Sequence, residues 1–374
     1  ARSQPLGMIE ELRMPMKPAN SLRTRLLRLS ILPAAILVLG GASLQTPALV
    51  VDVATGRVLH DEAGGQPWFP ASTTKLMTAL LAFEALESGK VTMQTPVVLS
   101  KNALNQSFLV TNLKLGATMT LEDALYAAIA ASANEIAVAI GETISGSEAA
   151  FVASMNDAAA RLGMTATTFR NPSGLFDRKH QSTARDLALL GMEIAARYPQ
   201  YERFFETGRV IVGGKQIDSN NVLLTRYPGT LGMKTGFVCS AGRNIVALAE
   251  HEGRRVMVVL LGATTERERN ERAAKFFTEA FAGDLDTAGE PVSALRNDLD
   301  GKAPDMRKRL CTNDGASYEA ERERLFPWGL PGQPSYLQPP GPLETRVIET
   351  WMTALVSKSD KVSNVPIPTP RPTQ

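Results

Sequence analysis

Between residues 48 and 283 the hydrophobic pattern changes period twice, and that order limits the folds open to the chain. It begins with a period of two, where Leu49-Val50-Val51 and Val58-Leu59 flank an Ala54-Thr55-Gly56 turn, as a β-hairpin does. Helical segments follow. Residues 75–86 are almost continuously apolar and run out at Gly89, which predicts a buried helix closed by a glycine cap. Further helices are expected over 121–131, 135–143 and 147–162, and over 183–197 with Ser182 or Thr183 as N-cap. From residue 209 the pattern returns to short β-rich runs, over 209–212, 222–225, 230–238, 244–249 and 256–261, before a last helix over 266–281. A hairpin, a helical middle, then antiparallel strands closed by a helix predict a mixed α/β domain, its largely antiparallel sheet flanked by helices.

The flanks read differently. Lys17, Arg23, Arg25 and Arg28 precede the apolar run 29–41, which exits through Gly40, Gly41, Ala42 and Ser43. A basic head, a short apolar middle and a small-residue exit describe a secretory signal peptide. The run is shorter than the about 20 apolar residues of a membrane span. Met16-Lys17 would make a natural start, so residues 1–15 are expected to be a mis-assigned upstream extension. Residues 1–43 then form a leader and 44–283 the main domain, exported to the periplasm or the outer face of the cytoplasmic membrane. Residues 284–374 form an extension expected to be poorly ordered, because Pro and Gly punctuate 325–342 and the chain ends in a Pro-rich run over 366–372. Within it Leu343, Val347, Ile348, Trp351, Met352 and Leu355 share one face of an amphipathic helix expected over 343–356. Its other face, with Glu344, Arg346, Glu349 and Lys358, carries no net charge, which favours packing on the domain over peripheral membrane contact.

Charge and metal-ligand content narrow the function classes. The 40 Lys and Arg nearly balance the 38 Asp and Glu, so no strong field draws the chain to nucleic acid. His60, His180 and His251 lie far apart and no HxxH or CxxC pair occurs, so neither a metal nor another cofactor is expected. In an oxidising compartment the two cysteines, Cys239 and Cys311, can form a disulfide; two buried free thiols are the alternative.

Three short motifs carry chemistry. In Ser72-Thr73-Thr74-Lys75 a lysine three positions after a serine lies one helical turn along, on the same face, within reach of the hydroxyl. The apolar run that follows supplies desolvation that could lower the lysine pKa toward that of a base. Taken alone, the pattern also fits a helix N-cap at Ser72 with an exposed Lys75. Ser132-Ala133-Asn134 is weaker, since Ser-x-Asn recurs at Ser100, Ser154 and Ser219, but Ser132 breaks two apolar helices where a tight loop can aim its hydroxyl into a cleft. Lys234-Thr235-Gly236 lies in an expected strand, where a glycine marks close approach of another backbone. Alternation puts Lys234 and Thr235 on opposite faces, so a role for both needs an edge strand whose rim faces the cleft.

In this order the motifs form a constellation used by acyl-transferring serine enzymes. From about residue 48 to 283 the chain resembles the low-molecular-mass penicillin-binding proteins, the serine D-Ala-D-Ala carboxypeptidases. The likeness includes Ala48-Leu49-Val50-Val51-Asp52, Pro70-Ala71 running into the serine motif and on to Leu76-Met77-Thr78, Asn171-Pro172-Ser173-Gly174-Leu175, and Tyr227-Pro228 leading to Gly232-Met233 and the Lys234 motif. The resemblance implies an enzyme that removes the terminal D-alanine from peptidoglycan stem peptides and takes β-lactams as covalent inhibitors. It implies that Ser72 is acylated with Lys75 as base, that Ser132 passes a proton to the leaving D-alanine, and that Lys234 holds this network electrostatically. Asn134 would bind the substrate amide, Thr235 the terminal carboxylate, and the N–H groups of Ser72 and Phe237 the oxyanion, beside Gly236. Arg269 falls where the family keeps a carboxylate-binding arginine, with Arg267 as a near rival. Many relatives also carry an arginine where this chain has Ser219-Asn220-Asn221-Val222. A β-lactamase of the same fold would need a positioned deacylating base, and no clear one occurs between Arg161 and His180. A catalytically silent peptidoglycan- or divisome-binding protein is disfavoured by intact Ser72, Lys75 and Lys234.

Overall fold

A computed structural model describes residues 45–285 and 288–353. The expected leader and the Pro-rich end lie outside the described residues. The main sheet has five antiparallel strands in the order β2-β1-β9-β8-β7. They are β1 (Ala48–Asp52), β2 (Val58–Glu62), β7 (Thr230–Val238), β8 (Gly242–His251) and β9 (Arg254–Ala263). The hairpin and the late strands thus meet in one sheet, with Val50 opposite Val258. β7 is one edge of this sheet, paired with β8, with Lys234 opposite Val246 and Gly236 opposite Asn244.

The helical middle follows. Its helices are α1 (Lys75–Glu87), α2 (Leu121–Ile129), α3 (Asn134–Ser145), α4 (Glu148–Arg161) and α5 (Ala184–Arg197). α1 is buried nearly all round, as its continuous apolar sequence requires. The amphipathic helices are capped: Thr120, Ser147 and Thr183 each accept an N–H of the first turn, and Gly146 closes α3 in the left-handed region. The last helix of the domain, α6 (Glu266–Ala282), is capped by Thr265 and Gly283, and its Ala273, Ala274 and Phe277 pack on β8 and β9.

Two three-stranded sheets were only partly foreseen. β5 (Arg209–Val212) and β6 (Lys215–Asp218) form a hairpin; β3 (Pro96–Val98) and β4 (Ala117–Thr120) pair antiparallel across a longer connection. The strand expected over 222–225 is instead a helical turn, Leu223–Arg226, because its one buried apolar residue, Leu223, needs a single inward position rather than an alternating face.

The helix expected over 343–356 is also corrected within the described residues. Thr345–Ile348 forms β10, parallel to β5, and Trp351–Met352 forms β11, antiparallel to β4. The free edges of β5 and β4 offer backbone partners, and β-branched Thr345, Val347 and Ile348 suit a strand. Ile348 is buried, while Val347, Trp351 and Met352 stay exposed. Arg346 donates to Asp123 Oδ1 at 2.8 Å and fastens this end to α2. The rest of the extension has little regular structure but is tied down at several points. A helix α7 (Gly315–Leu325) sends Arg322 into the domain, and Cys311 is disulfide-bonded to Cys239, with their Cα atoms 5.9 Å apart.

Candidate active site

Ser72 sits in a 3-10 turn, Ala71–Thr74, that runs directly into α1. Three neighbouring segments hold this turn. Asn244 on β8 donates Nδ2 to Phe69 O at 2.9 Å and Pro70 O at 3.0 Å, while its Oδ1 accepts Gly262 N–H at 2.9 Å. Gly236 on β7 passes so near that a Cβ there would stand 2.8 Å from Ser72 N. Gly174, at φ +85°, lies against the Ala71 carbonyl, where a Cβ would stand 1.8 Å from the oxygen. Asn171 Oδ1 shapes that loop by accepting from Ser173 N–H and Gly174 N–H at 3.2 and 2.7 Å. Ala71 itself has φ +50°, and a left-handed alanine costs about 1–2 kcal/mol. The surrounding contacts maintain that strained residue next to the nucleophile.

Lys75 is fully buried, with Nζ 3.1 Å from Ser72 Oγ, 2.8 Å from Asn134 Oδ1 and 2.7 Å from Ser173 O. Burial pushes its pKa well below the ordinary lysine value, the Lys234 charge pushes it further, and Glu135 opposes them. A neutral amine so placed can accept the Ser72 proton. Asn134 also donates Nδ2 to Phe108 O at 2.9 Å, and buried Glu135 accepts the N–H groups of Val110 and Thr111 at 3.1 and 2.6 Å. These two side chains fold the 108–111 segment over the start of α3. Ser132, at φ +57°, occupies the break between α2 and α3 two residues before Asn134. Ser72, Lys75 and Asn134 are therefore linked by direct hydrogen bonds, and Ser132 belongs to the same turn as Asn134.

On β7, Lys234 and Thr235 point to opposite faces yet are both buried. The Ser72 turn and the helical turns Arg203–Glu206 and Leu223–Arg226 all pack on this strand. Burial lowers the Lys234 pKa to about 7, and the Arg269 charge acts in the same direction. Arg269 on α6, 2% exposed, donates to Asn220 O at 2.6 Å and Asn270 Oδ1 at 3.0 Å; burial lowers its pKa to about 10. Arg267 turns away and donates to Phe326 O and Trp328 O, both at 2.7 Å. Neighbouring Asn221 buries a carboxamide whose nitrogen and oxygen have no partner among the described residues. Phe237 is 44% exposed at the end of the strand. Lys234 in its charged form, with the buried Arg269 guanidinium near enough to act on it, gives this end of the cleft a field that favours an anionic ligand.

Asn244, Glu135 and His180 are structural supports that the motifs did not disclose. A buried Asn inside an apolar strand was a legible signal, because Asn is depleted in strands unless its side chain has a task. Glu135, directly after the Ser-x-Asn motif, carried no signal of its own.

The chain matches the D-alanyl-D-alanine carboxypeptidase family, peptidase S11, over residues 44–265. It is 35% identical over 240 residues to the D-alanyl-D-alanine carboxypeptidase DacF of Bacillus subtilis, covering 63% of this chain and 61% of that one. Among solved structures it is similar to penicillin-binding protein D2 of Listeria monocytogenes in its cefotaxime-bound form, with 30% identity, a TM-score of 0.59, and 63% and 97% of the two chains covered. Penicillin-binding protein 5 of Haemophilus influenzae gives 29% identity and a TM-score of 0.60, over 64% and 71% of the chains. The chain spans about three fifths of the length of the curated relatives it matches.

Proposed function

This chain belongs to the D-alanyl-D-alanine carboxypeptidase family, and from that premise we propose that it hydrolyses the terminal D-alanine from peptidoglycan stem peptides outside the cytoplasm. The observation that carries this reading is the fully buried Lys75 amine, 3.1 Å from Ser72 Oγ and lowered in pKa by burial and by Lys234. Lys75 takes the Ser72 proton as Oγ attacks the carbonyl of the penultimate D-alanine. The N–H groups of Ser72 and Phe237 receive the oxyanion. Ser132 relays the proton to the leaving nitrogen, free D-alanine departs, and an acyl ester remains on Ser72. Water attacks that ester with Lys75 again as base, which returns the serine.

At the leaving end, Thr235 and charged Lys234 receive the terminal carboxylate, with Arg269 supporting the positive field. Asn134 holds the substrate amide while anchoring Lys75. The D2 relative's cefotaxime-bound form supports the same acylation chemistry with β-lactams here. Mass spectrometry after incubation with a labelled penicillin tests the reading. One adduct per chain is expected, on the peptide containing Ser72 and absent from Ser72→Ala; a full adduct in the variant refutes the assignment.

A further inference from the structure

The extension reaches the rim of the cleft beyond the family-matched segment. Cys239 lies two residues past Phe237, and its bridge to Cys311 brings residues 306–311 against the β7–β8 turn, where Met306 N–H donates to Ser240 O at 3.0 Å. Met306 is fully buried there. The next residue, Arg307, places its guanidinium 4.7 Å from the centre of the Phe176 ring. Phe176 belongs to the loop whose Gly174 abuts Ala71, and its ring meets Phe69 edge-on at 5.2 Å. Phe176 and Phe237 are 39% and 44% exposed, so both rings keep a surface free at the rim. Arg307 is also held by Asp305, which pairs with its Nε and fixes the guanidinium plane.

Direction along β7 says which part of a substrate meets this wall. If the terminal carboxylate is received at Thr235 and the scissile carbonyl at Phe237 N–H, the peptide upstream of the cleaved bond continues toward Cys239. We infer that Arg307 and Phe176, clamped through Cys239–Cys311, form a specificity wall for the residue preceding the D-Ala-D-Ala pair, taking a long side chain with an aliphatic stem across the two phenylalanine rings. The inference rests on the proposed peptidase reading. A stem gains contact with ring faces and with the guanidinium, whereas glycine at that position reaches neither.

The test compares two peptides, diacetyl-L-Lys-D-Ala-D-Ala and acetyl-Gly-D-Ala-D-Ala, by D-alanine release in the exported, oxidised protein. Wild type is expected to prefer the lysyl peptide in kcat/KM. Arg307→Ala should lower that preference about three- to fivefold, the scale of an exposed cation–aromatic contact, chiefly through KM for the lysyl peptide. Phe176→Ala should lower it in the same sense, and Cys239→Ser with Cys311→Ser should do so while thermal unfolding verifies the fold. A preference unchanged in Arg307→Ala, including equal losses on both peptides, overturns the inference. If wild type releases no D-alanine from either peptide and takes no penicillin label, the peptidase reading itself fails.

Discussion

In the proposed mechanism Lys75 must be neutral to accept the Ser72 proton, whereas Lys234 must be charged to hold a carboxylate, yet burial, with a neighbouring cation adding to it, lowers both. Their difference in role has a pH signature. Acylation falls as pH drops through the depressed Lys75 pKa, because protonation removes the base. In the free enzyme kcat/KM falls again as pH rises past about 7, where Lys234 loses its proton. A bound carboxylate favours the charged form of Lys234 and raises that second limb. Profiles of both constants should therefore be bell-shaped, with the alkaline limb of kcat lying above that of kcat/KM; coincident alkaline limbs contradict the assignment. The two lysines, Ser72 and Asn134 were legible as residues in ordered motifs. The backbone that aims them was less so: nothing in the sequence shows that Ala71 and Ser132 take positive φ, since both are residue types that rarely do.

At the scale of elements, periodicity served wherever a segment buries one defined face. It located the hairpin, α1 to α6 and the edge strand carrying Lys234, because those segments bury a stripe, an alternating face or their whole surface. It failed at 222–225 and over 343–353, the described part of the expected last helix, where few side chains are buried and neighbouring backbone decides the conformation. Gly236 shows the useful opposite case: a glycine inside a strand predicted close approach, and the atom approached is Ser72 N. A buried histidine closes the far end of the loop 171–180. His180 is buried, its Nε2 is 3.0 Å from Thr74 Oγ1, and its Nδ1 accepts the Arg170 N–H, which requires the neutral ring. Burial lowers its pKa from 6.5 to about 3. Since the unfolded chain binds this proton more readily, the contribution is complete above about pH 6.5 and is lost as pH falls toward about 3, by up to about 1.4 kcal/mol per unit. Denaturant midpoints of wild type and His180→Gln should converge on acidification from pH 7 to 5. An unchanged gap contradicts a neutral buried His180.

For the whole molecule, the extension is joined to the catalytic domain through buried charge as well as the disulfide. Arg322 of α7 donates to Glu268 Oε1 at 2.6 Å and Thr46 Oγ1 at 2.8 Å, and the guanidinium groups of Arg272 and Arg322 lie 4.3 and 4.6 Å from the centre of the Phe326 ring. Glu268 is fully buried, so removing Arg322 leaves Arg272 alone to balance it. Arg322→Ala should destabilise the protein by about 3 kcal/mol, the low end for breaking a buried pair; a change below about 1 kcal/mol in urea unfolding contradicts that coupling. Proline and glycine content suggested a solvated tail here, because an ion pair formed across 54 residues leaves no trace in local composition. These attachments leave Ser72 and Lys75 at the centre of the account. The most direct test is D-alanine release from diacetyl-L-Lys-D-Ala-D-Ala by the oxidised protein beside Ser72→Ala. Wild type should release one D-alanine per peptide catalytically and the variant none above background; release by the variant at the wild-type rate, or none by a wild-type protein that is folded, contradicts a Ser72–Lys75 peptidase.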